Sequence, residues 1–373
     1  MKKVKKYLPL ALLAALPLAY RKLHARSLAS QLDFEQLLLP DPFIPANDFY
    51  IPEESYSQMM ADLVMPYLNA HSEIAVFETG HRIHYAHYRA DQPIAAVVIA
   101  HGFAETLGRY AEVIYYFLKM GYEVYLPEHF GHGESEAGVA DPSVVWVGDF
   151  NDYTADFSNF VKDIVRPKHP TLPIIGYGHS MGGAILATAL MQHPNLCDAA
   201  IFNSPMFKVF FDQPEGLLYP LIQTLAKTKL NKAGIPLKTP LDHLKVPEFM
   251  PKKAAMHSQP RARYFHDLRI LSDKPVRWLV SWGWLNESIQ ATHQIVKPEN
   301  IEKIKIPLLM FESETDWFVD PIGIHQFASS AKNLTFYKVP GSYHEIYSET
   351  NNILVPYFNT INEFISHFLE NRP

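Results

Sequence analysis

The chain has 373 residues, 48% hydrophobic and 13% aromatic, which excludes a disordered chain and gives ample material for a large core. Its net charge is −6. The first 26 residues carry seven of the 33 Lys and Arg and none of the 39 Asp and Glu, so the remainder stands at 26 − 39 = −13; so acidic a body argues against a nucleic-acid partner. Cys197, the one cysteine, excludes an intramolecular disulfide.

The N-terminus begins with Lys2, Lys3, Lys5 and Lys6, followed by an apolar run from Leu8 to Tyr20 and a second basic group, Arg21, Lys22 and Arg26. The run is short for a membrane span and suits a signal peptide or an uncleaved anchor, so residues 1–26 are expected to target the chain to a membrane or to export it. Residues 27–70 read as a linker and a helix. Asp41 to Pro52 is proline-rich and extended. From Glu53 to Leu68 the apolar residues Tyr56, Met59, Met60, Leu63, Val64 and Tyr67 recur at helical spacing, which predicts a helix docked on the body.

Ile74–Thr79 and Arg82–Arg89 flank Gly80-His81 and read as a hairpin. Ala95–Ala100 is a continuous apolar run, as in a strand buried on both faces. Tyr110–Met120 is helical and Glu123–Leu126 is a strand. Further strands are expected at Pro173–Tyr177, Ala199–Asn203, Pro307–Phe311 and Leu334–Val339, with a helix over Ala184–Met191. Strands alternating with helices predict an α/β fold with a mostly parallel sheet flanked by helices, the site lying at the carboxyl ends of the strands. The core then comprises 71–205 and 306–373. Between Met206 and Lys305 the alternation stops, and 206–305 reads as a cap or lid insertion.

The motif that organises the chain is Gly178-His179-Ser180-Met181-Gly182, with Gly183 after it. A strand before it and a helix after it make G-x-S-x-G a nucleophile elbow, which holds Ser180 in a strained turn with its hydroxyl exposed. A serine hydroxyl needs a base, and the base needs an orienting carboxylate. In a fold of this kind the acid and the histidine follow later strands in that order. Asp316 and His344 stand at those places. Asp320, Glu312 and Glu314 compete for the acid's role, Asp320 reading better as a helix N-cap before Pro321. The oxyanion donors are expected to be the backbone N–H groups of Met181 and of Phe103, in the loop His101-Gly102-Phe103. His179 is expected in packing, and His132 in a supporting turn. No residues have H-E-x-x-H or C-x-x-C spacing and no G-x-G-x-x-G follows a strand, so neither a metal nor a nucleotide cofactor is expected.

These residues, together with Gly108-Arg109-Tyr110, Gly131-His132-Gly133-Glu134-Ser135 and Gly341-Ser342-Tyr343-His344-Glu345, resemble the α/β-hydrolase branch of bacterial lysophospholipases and monoacylglycerol lipases. Asn151-Asp152-Tyr153, Cys197-Asp198-Ala199, Ser204-Pro205-Met206-Phe207 and Trp284–Ile289 resemble its bacterial inner-membrane-associated lysophospholipases more nearly. Phe130 departs from the branch, which has Arg before Gly-His-Gly. The resemblance implies a serine hydrolase acting on carboxylic esters of single-chain lipids through an acyl-enzyme on Ser180. A lysophospholipid is the expected substrate, with a monoacylglycerol or a general carboxylic ester as alternatives. A catalytically silent binding protein of the same fold is the reading of another class. The implied partners are the lipid substrate and a membrane surface, with no obligate protein partner. Phe210, Phe211, Leu217, Leu218, Tyr219 and the Trp residues of the insertion suit an acyl chain, although most such residues pack a cap onto its core. Arg261, Arg263 and Arg269 are expected mainly on a solvated face, with a phosphate headgroup as the alternative.

Overall fold

The computed structural model describes residues 30, 32–39, 48–212, 214–235, 248–251, 254–271 and 277–372. The targeting segment 1–26 and residues 41–47 of the proline-rich linker lie outside the described residues.

In chain order, β1 (Glu35–Gln36) is followed by α1 (residues 56–71), β2 (Ser72–Glu78), β3 (Arg82–Tyr88), β4 (Ala95–Ala100), α2 (Ala111–Lys119) and β5 (Tyr122–Pro127). Next come β6 (Val144–Val145), α3 (residues 150–168), β7 (Ile174–His179), α4 (Met181–Gln192) and β8 (Ala199–Asn203). After β8 come α5 (Glu215–Ala226), α6 (Gln259–Leu271), β9 (Leu279–Val280), α7 (Trp282–Ile295) and α8 (Pro298–Ile301). The chain closes with β10 (Leu308–Ser313), α9 (Pro321–Ala328), β11 (Leu334–Val339) and α10 (Asn351–Glu370).

Nine strands form one sheet in the order β1-β11-β10-β8-β7-β4-β5-β3-β2. The β2–β3 and β3–β5 pairings are antiparallel and the others parallel. Side chains on a strand alternate between faces, and the central strand β4 divides accordingly. Ala96, Val98 and Ala100 join one core with residues of α3, α4, α7 and α9. Ala95, Val97 and Ile99 join a second core with α1, α2 and α10. The helix predicted before the hairpin is α1, and its buried stripe is Tyr56, Met60, Val64 and Leu68. Within the inserted stretch, residues 282–304 pack into the first core through Trp284, Leu285, Ile289, Ile295, Ile301 and Ile304. They form the crossover layer between β8 and β10. The rest of the inserted stretch carries α5 and α6, and β9 pairs in parallel with β6 as a separate two-stranded sheet.

Candidate active site

Ser180 follows β7 and precedes α4, with φ 51° and ψ −119°. An L residue rarely adopts this conformation, and its neighbours enforce it. The Ser180 N–H donates to Asn203 O at 3.2 Å, and the Ser180 carbonyl accepts from Met206 N at 2.8 Å and Gly183 N at 2.9 Å. The glycines are a matter of space: a Cβ on Gly182 would lie 1.9 Å from Ala100 O, and one on Gly183 would lie 2.6 Å from Pro205 Cβ.

The structure brings Asp316 and His344 together. The loop after β10 carries Asp316 and the loop after β11 carries His344, so both stand at the same carboxyl edge as Ser180. His344 Nδ1 is 2.6 Å from Asp316 Oδ2. Asp316 Oδ1 accepts from the N–H groups of Phe318 at 2.8 Å and Val319 at 3.0 Å, and Ser313 Oγ donates to Oδ2 at 3.1 Å. Burial works to raise the Asp316 pKa, but His344 and these N–H donors outweigh it and hold the carboxyl below its ordinary value. Burial works to lower the His344 pKa, and Asp316 overcomes it, leaving the imidazole above 6.5. His344 packs on the ring of His179, next to Ser180, with centroids 4.8 Å apart. The competing acids are engaged elsewhere. Asp320 caps α9 by accepting from Ile322 N, Glu312 binds His325, and Glu314 accepts from Gly341 N.

Phe103 lies in the turn after β4, where Ala104 has φ 60°. Met181 opens α4, so its N–H has no acceptor within the helix. His101 shapes the loop from below: its Nδ1 is 2.8 Å from Gly102 O and its Nε2 accepts from His129 N at 2.9 Å. The His132 ring meets the Phe103 ring edge-on at 5.9 Å.

Beneath this loop lies Glu105, a buried carboxylate that chain spacing gave no reason to select. Its Oε2 accepts from Gly102 N at 2.5 Å and Tyr110 OH at 2.7 Å, and its Oε1 accepts from Tyr347 OH at 2.7 Å. His179 Nε2 is 3.7 Å away. Burial opposes the charge, but His179, Arg109 and the two tyrosine hydroxyls pull the carboxyl down to about 2. His179 is itself pushed down to about 4 by burial. A Cβ on Gly102 would come within 2.8 Å of the Glu105 carboxylate. Arg109 pairs with Glu345, the residue after His344, and lies 3.9 Å over the ring of Phe265 in α6.

A family model described as serine aminopeptidase, S33, matches residues 91–351, well over half of the chain. The chain belongs to that family. This S33 member is 28% identical over 240 residues to lysophospholipase L2 of Escherichia coli, covering 64% of this chain and 68% of the relative. It is 30% identical over 281 residues to a monoacylglycerol lipase of Mycolicibacterium smegmatis, covering 74% and 90%. A soluble variant of the monoglyceride lipase of Saccharomyces cerevisiae, solved with a substrate analog, superimposes with a TM-score of 0.63 at 19% identity, over 80% of this chain and 96% of that one. The fold is that of the α/β-hydrolases. Phe130, which departs from the branch, packs tilted on the ring of His81 with centroids 4.0 Å apart, and His81 Nδ1 is 2.8 Å from Asp156 Oδ2.

The structure departs from two expectations for the S33 member's inserted stretch: Trp284, expected in a cap, is buried in the first core, and Arg261 is placed differently too. Arg261 is not on a solvated face; it is fully buried. Its guanidinium donates to both Glu112 oxygens, to Asn351 Oδ1 at 2.8 Å and to Glu349 O at 3.1 Å. Glu112, on α2, supplies the charge that makes this burial tolerable. Arg263, by contrast, is exposed and paired with Asp267.

Proposed function

We propose that the enzyme hydrolyses carboxylic esters of single-chain lipids, with a lysophospholipid as the preferred substrate and Ser180, His344 and Asp316 as its catalytic triad. The observation that carries the reading is the Asp316–His344 contact of 2.6 Å at the strand edge where Ser180 sits in its strained turn. His344 Nε2 takes the proton of the Ser180 hydroxyl as Oγ attacks the ester carbonyl. The N–H groups of Phe103 and Met181 receive the oxyanion. Collapse expels the glycerol oxygen, which takes the proton back from His344. Water, deprotonated by the same imidazole, then frees the fatty acid from the acyl-enzyme. Asp316 keeps the imidazole in the tautomer with Nε2 free and balances its transient charge.

Apolar surface beside these groups supports a lipid. Phe318 packs on His344 at 5.0 Å while remaining 47% exposed, and the partly buried Phe103 ring is backed at 4.5 Å by Trp284, itself buried. The relatives named lysophospholipase and monoacylglycerol lipase support it too. A monoacylglycerol lipase or a broader carboxylesterase is the second reading, favoured by the higher identity to the M. smegmatis relative.

The test is release of fatty acid from lysophosphatidylcholine, lysophosphatidylethanolamine and monoacylglycerol of one chain length. Higher kcat/KM on the two lysophospholipids supports the first reading, and higher kcat/KM on monoacylglycerol supports the second. No covalent labelling of Ser180 by a fluorophosphonate, in folded protein, overturns both. Membrane association is proposed for residues 1–26, on their apolar run between two basic groups; among the described residues no helix is long and apolar enough to cross a membrane. Removing residues 1–26 is expected to shift the protein from the membrane fraction to the soluble one, with an unchanged rate on a water-soluble ester.

A further inference from the structure

The sheet edge remote from Ser180 holds a cluster that ester hydrolysis does not use. His87 on β3, Glu123 on β5 and His169, just after α3, each offer one ligand atom, and the three atoms lie within 4.8 Å of one another. His87 Nε2 touches Glu123 Oε1, and His169 Nε2 lies 3.4 Å from the same oxygen. Glu123 stands at the start of β5, which runs parallel to β4, as β7 does. The cluster therefore sits at the amino-terminal edge of the strands, while Ser180 follows the carboxyl end of β7.

Three observations favour a cation over a simple hydrogen-bonded knot. First, two imidazoles and a carboxylate are a donor set that suits zinc and its neighbours. Second, zinc bonds of about 2.0–2.2 Å place tetrahedral ligands roughly 3.3–3.5 Å apart; the His169–Glu123 separation is 3.4 Å, while His87 Nε2 touches Glu123 Oε1 and must draw back for an ion to enter between them. Third, His87 Nδ1 is buried with no hydrogen-bond partner. If Nε2 donates to Glu123, Nδ1 is left as a buried lone pair without a donor, which is costly. A metal on Nε2 moves the proton to Nδ1, which faces the Glu73 carboxylate 3.9 Å away. A carboxylate hydrogen-bonded behind a metal-bound imidazole fixes its tautomer and raises its basicity, a role Glu73 takes once its partly exposed side chain moves into hydrogen-bond reach. The plane of the His87 ring is already held by Tyr125, stacked at 4.1 Å with 7° between the planes. Tyr125 OH lies 2.8 Å from His169 Nε2, a contact the ion replaces, and 3.4 Å from Glu123 Oε1, which it keeps.

We propose that His87, Glu123 and His169 bind one divalent transition-metal ion of the zinc type. Water completes the tetrahedron on the His169 side, where the side chain is 13% exposed. The ion staples the end of α3 to the antiparallel edge of the sheet. Three chain-distant residues build the site, which is why no motif spacing reveals it.

The test uses the full chain, stripped with a chelator and dialysed into metal-free buffer. Zinc chloride is titrated by calorimetry, and thermal unfolding is followed with and without the ion. One ion bound per chain, with a rise in Tm, is the expected result. His169→Ala and Glu123→Gln should each weaken binding by at least about a hundredfold and remove the Tm rise. His293→Ala, a control on an exposed histidine elsewhere, should change neither. The proposal is overturned if folded wild-type protein binds no zinc, or if His169→Ala binds it with the same affinity and the same Tm response.

Discussion

At the scale of single residues, the proposed chemistry turns on three side chains whose removal should not be additive. Ser180→Ala is expected to lower kcat by roughly 10⁴–10⁶, with His344→Ala equally damaging and the double variant no worse than either. A folded Ser180→Ala protein within tenfold of wild type would remove the nucleophile assignment. Asp320→Asn should lower stability through its helix cap and leave kcat nearly untouched, whereas Asp316→Asn should lower kcat. The pH profile follows from the same pair. His344 must be neutral to accept the serine proton. Burial works against its charge, yet Asp316 holds its pKa above 6.5. The acid limb of kcat/KM should therefore have its inflection above 6.5. In Asp316→Asn burial is opposed only by the lesser pull of Glu345 and Glu105, and the inflection should move down as the plateau falls. An inflection that stays in place in the variant would show that another group sets the limb.

At the scale of elements, Arg261 decides how much of the inserted stretch is free to move. It ties α6 to α2 through Glu112 and to the start of α10 through Asn351. A second layer of hydrogen bonds reaches Glu112 from Tyr56 at 2.9 Å and Tyr116 at 2.5 Å. The α6 segment is thus bolted to the body, while α5 exposes Leu217 and Leu221. Opening of the site is expected to come from α5. Glu112→Ala leaves a buried guanidinium uncompensated and should cost about 3–5 kcal/mol in urea unfolding, and Glu112→Leu combined with Arg261→Met should cost less than that. A double variant less stable than Glu112→Ala would contradict this account. The strands were legible where burial is two-sided, as in the unbroken run of β4, and α1 was legible from its stripe. Arg261, Glu105 and the His87 cluster were not. Each is a polar group made tolerable by partners from other elements, and local spacing carries no record of such partners. The same limit affects α7. Its Trp282 and Trp284 read as cap lining, yet the helix packs as a crossover because the inserted stretch only postpones it.

At the scale of the whole molecule, buried imidazoles set the response to acid. Burial lowers the pKa of His101 and His129, and brings His132 down to about 3 and His179 to about 4. The unfolded chain binds protons at these groups near 6.5 while the folded chain does not, so stability falls as pH drops through 6.5 and continues to fall toward those values. Glu105 adds a second loss, as its contribution, present above 4.5, disappears on the way down to about 2. His344 acts in the opposite sense, its contribution being complete below 6.5 and lost above its raised pKa. So does Asp156, whose carboxyl burial raises to about 6 and whose contribution is lost as pH rises through that value, but the buried imidazoles outnumber them. The urea midpoint at pH 5 should therefore lie below that at pH 7. An equal or higher midpoint would mean that the histidines are protonated in the fold.

The pairing of β1 with β11 joins Glu35 to Tyr337 and Gln36 to Lys338. During synthesis β1 leaves the ribosome some 337 − 35 residues before its partner strand. At roughly 5–20 residues per second it waits on the order of 15–60 s with both edges bare. His344 is made later still, only a few residues after β11. If residues 1–26 target a membrane as proposed, a nascent chain presents them to the bilayer long before it can hydrolyse any lipid there. Delivery would then precede competence, and the order of strands along the chain would keep them apart.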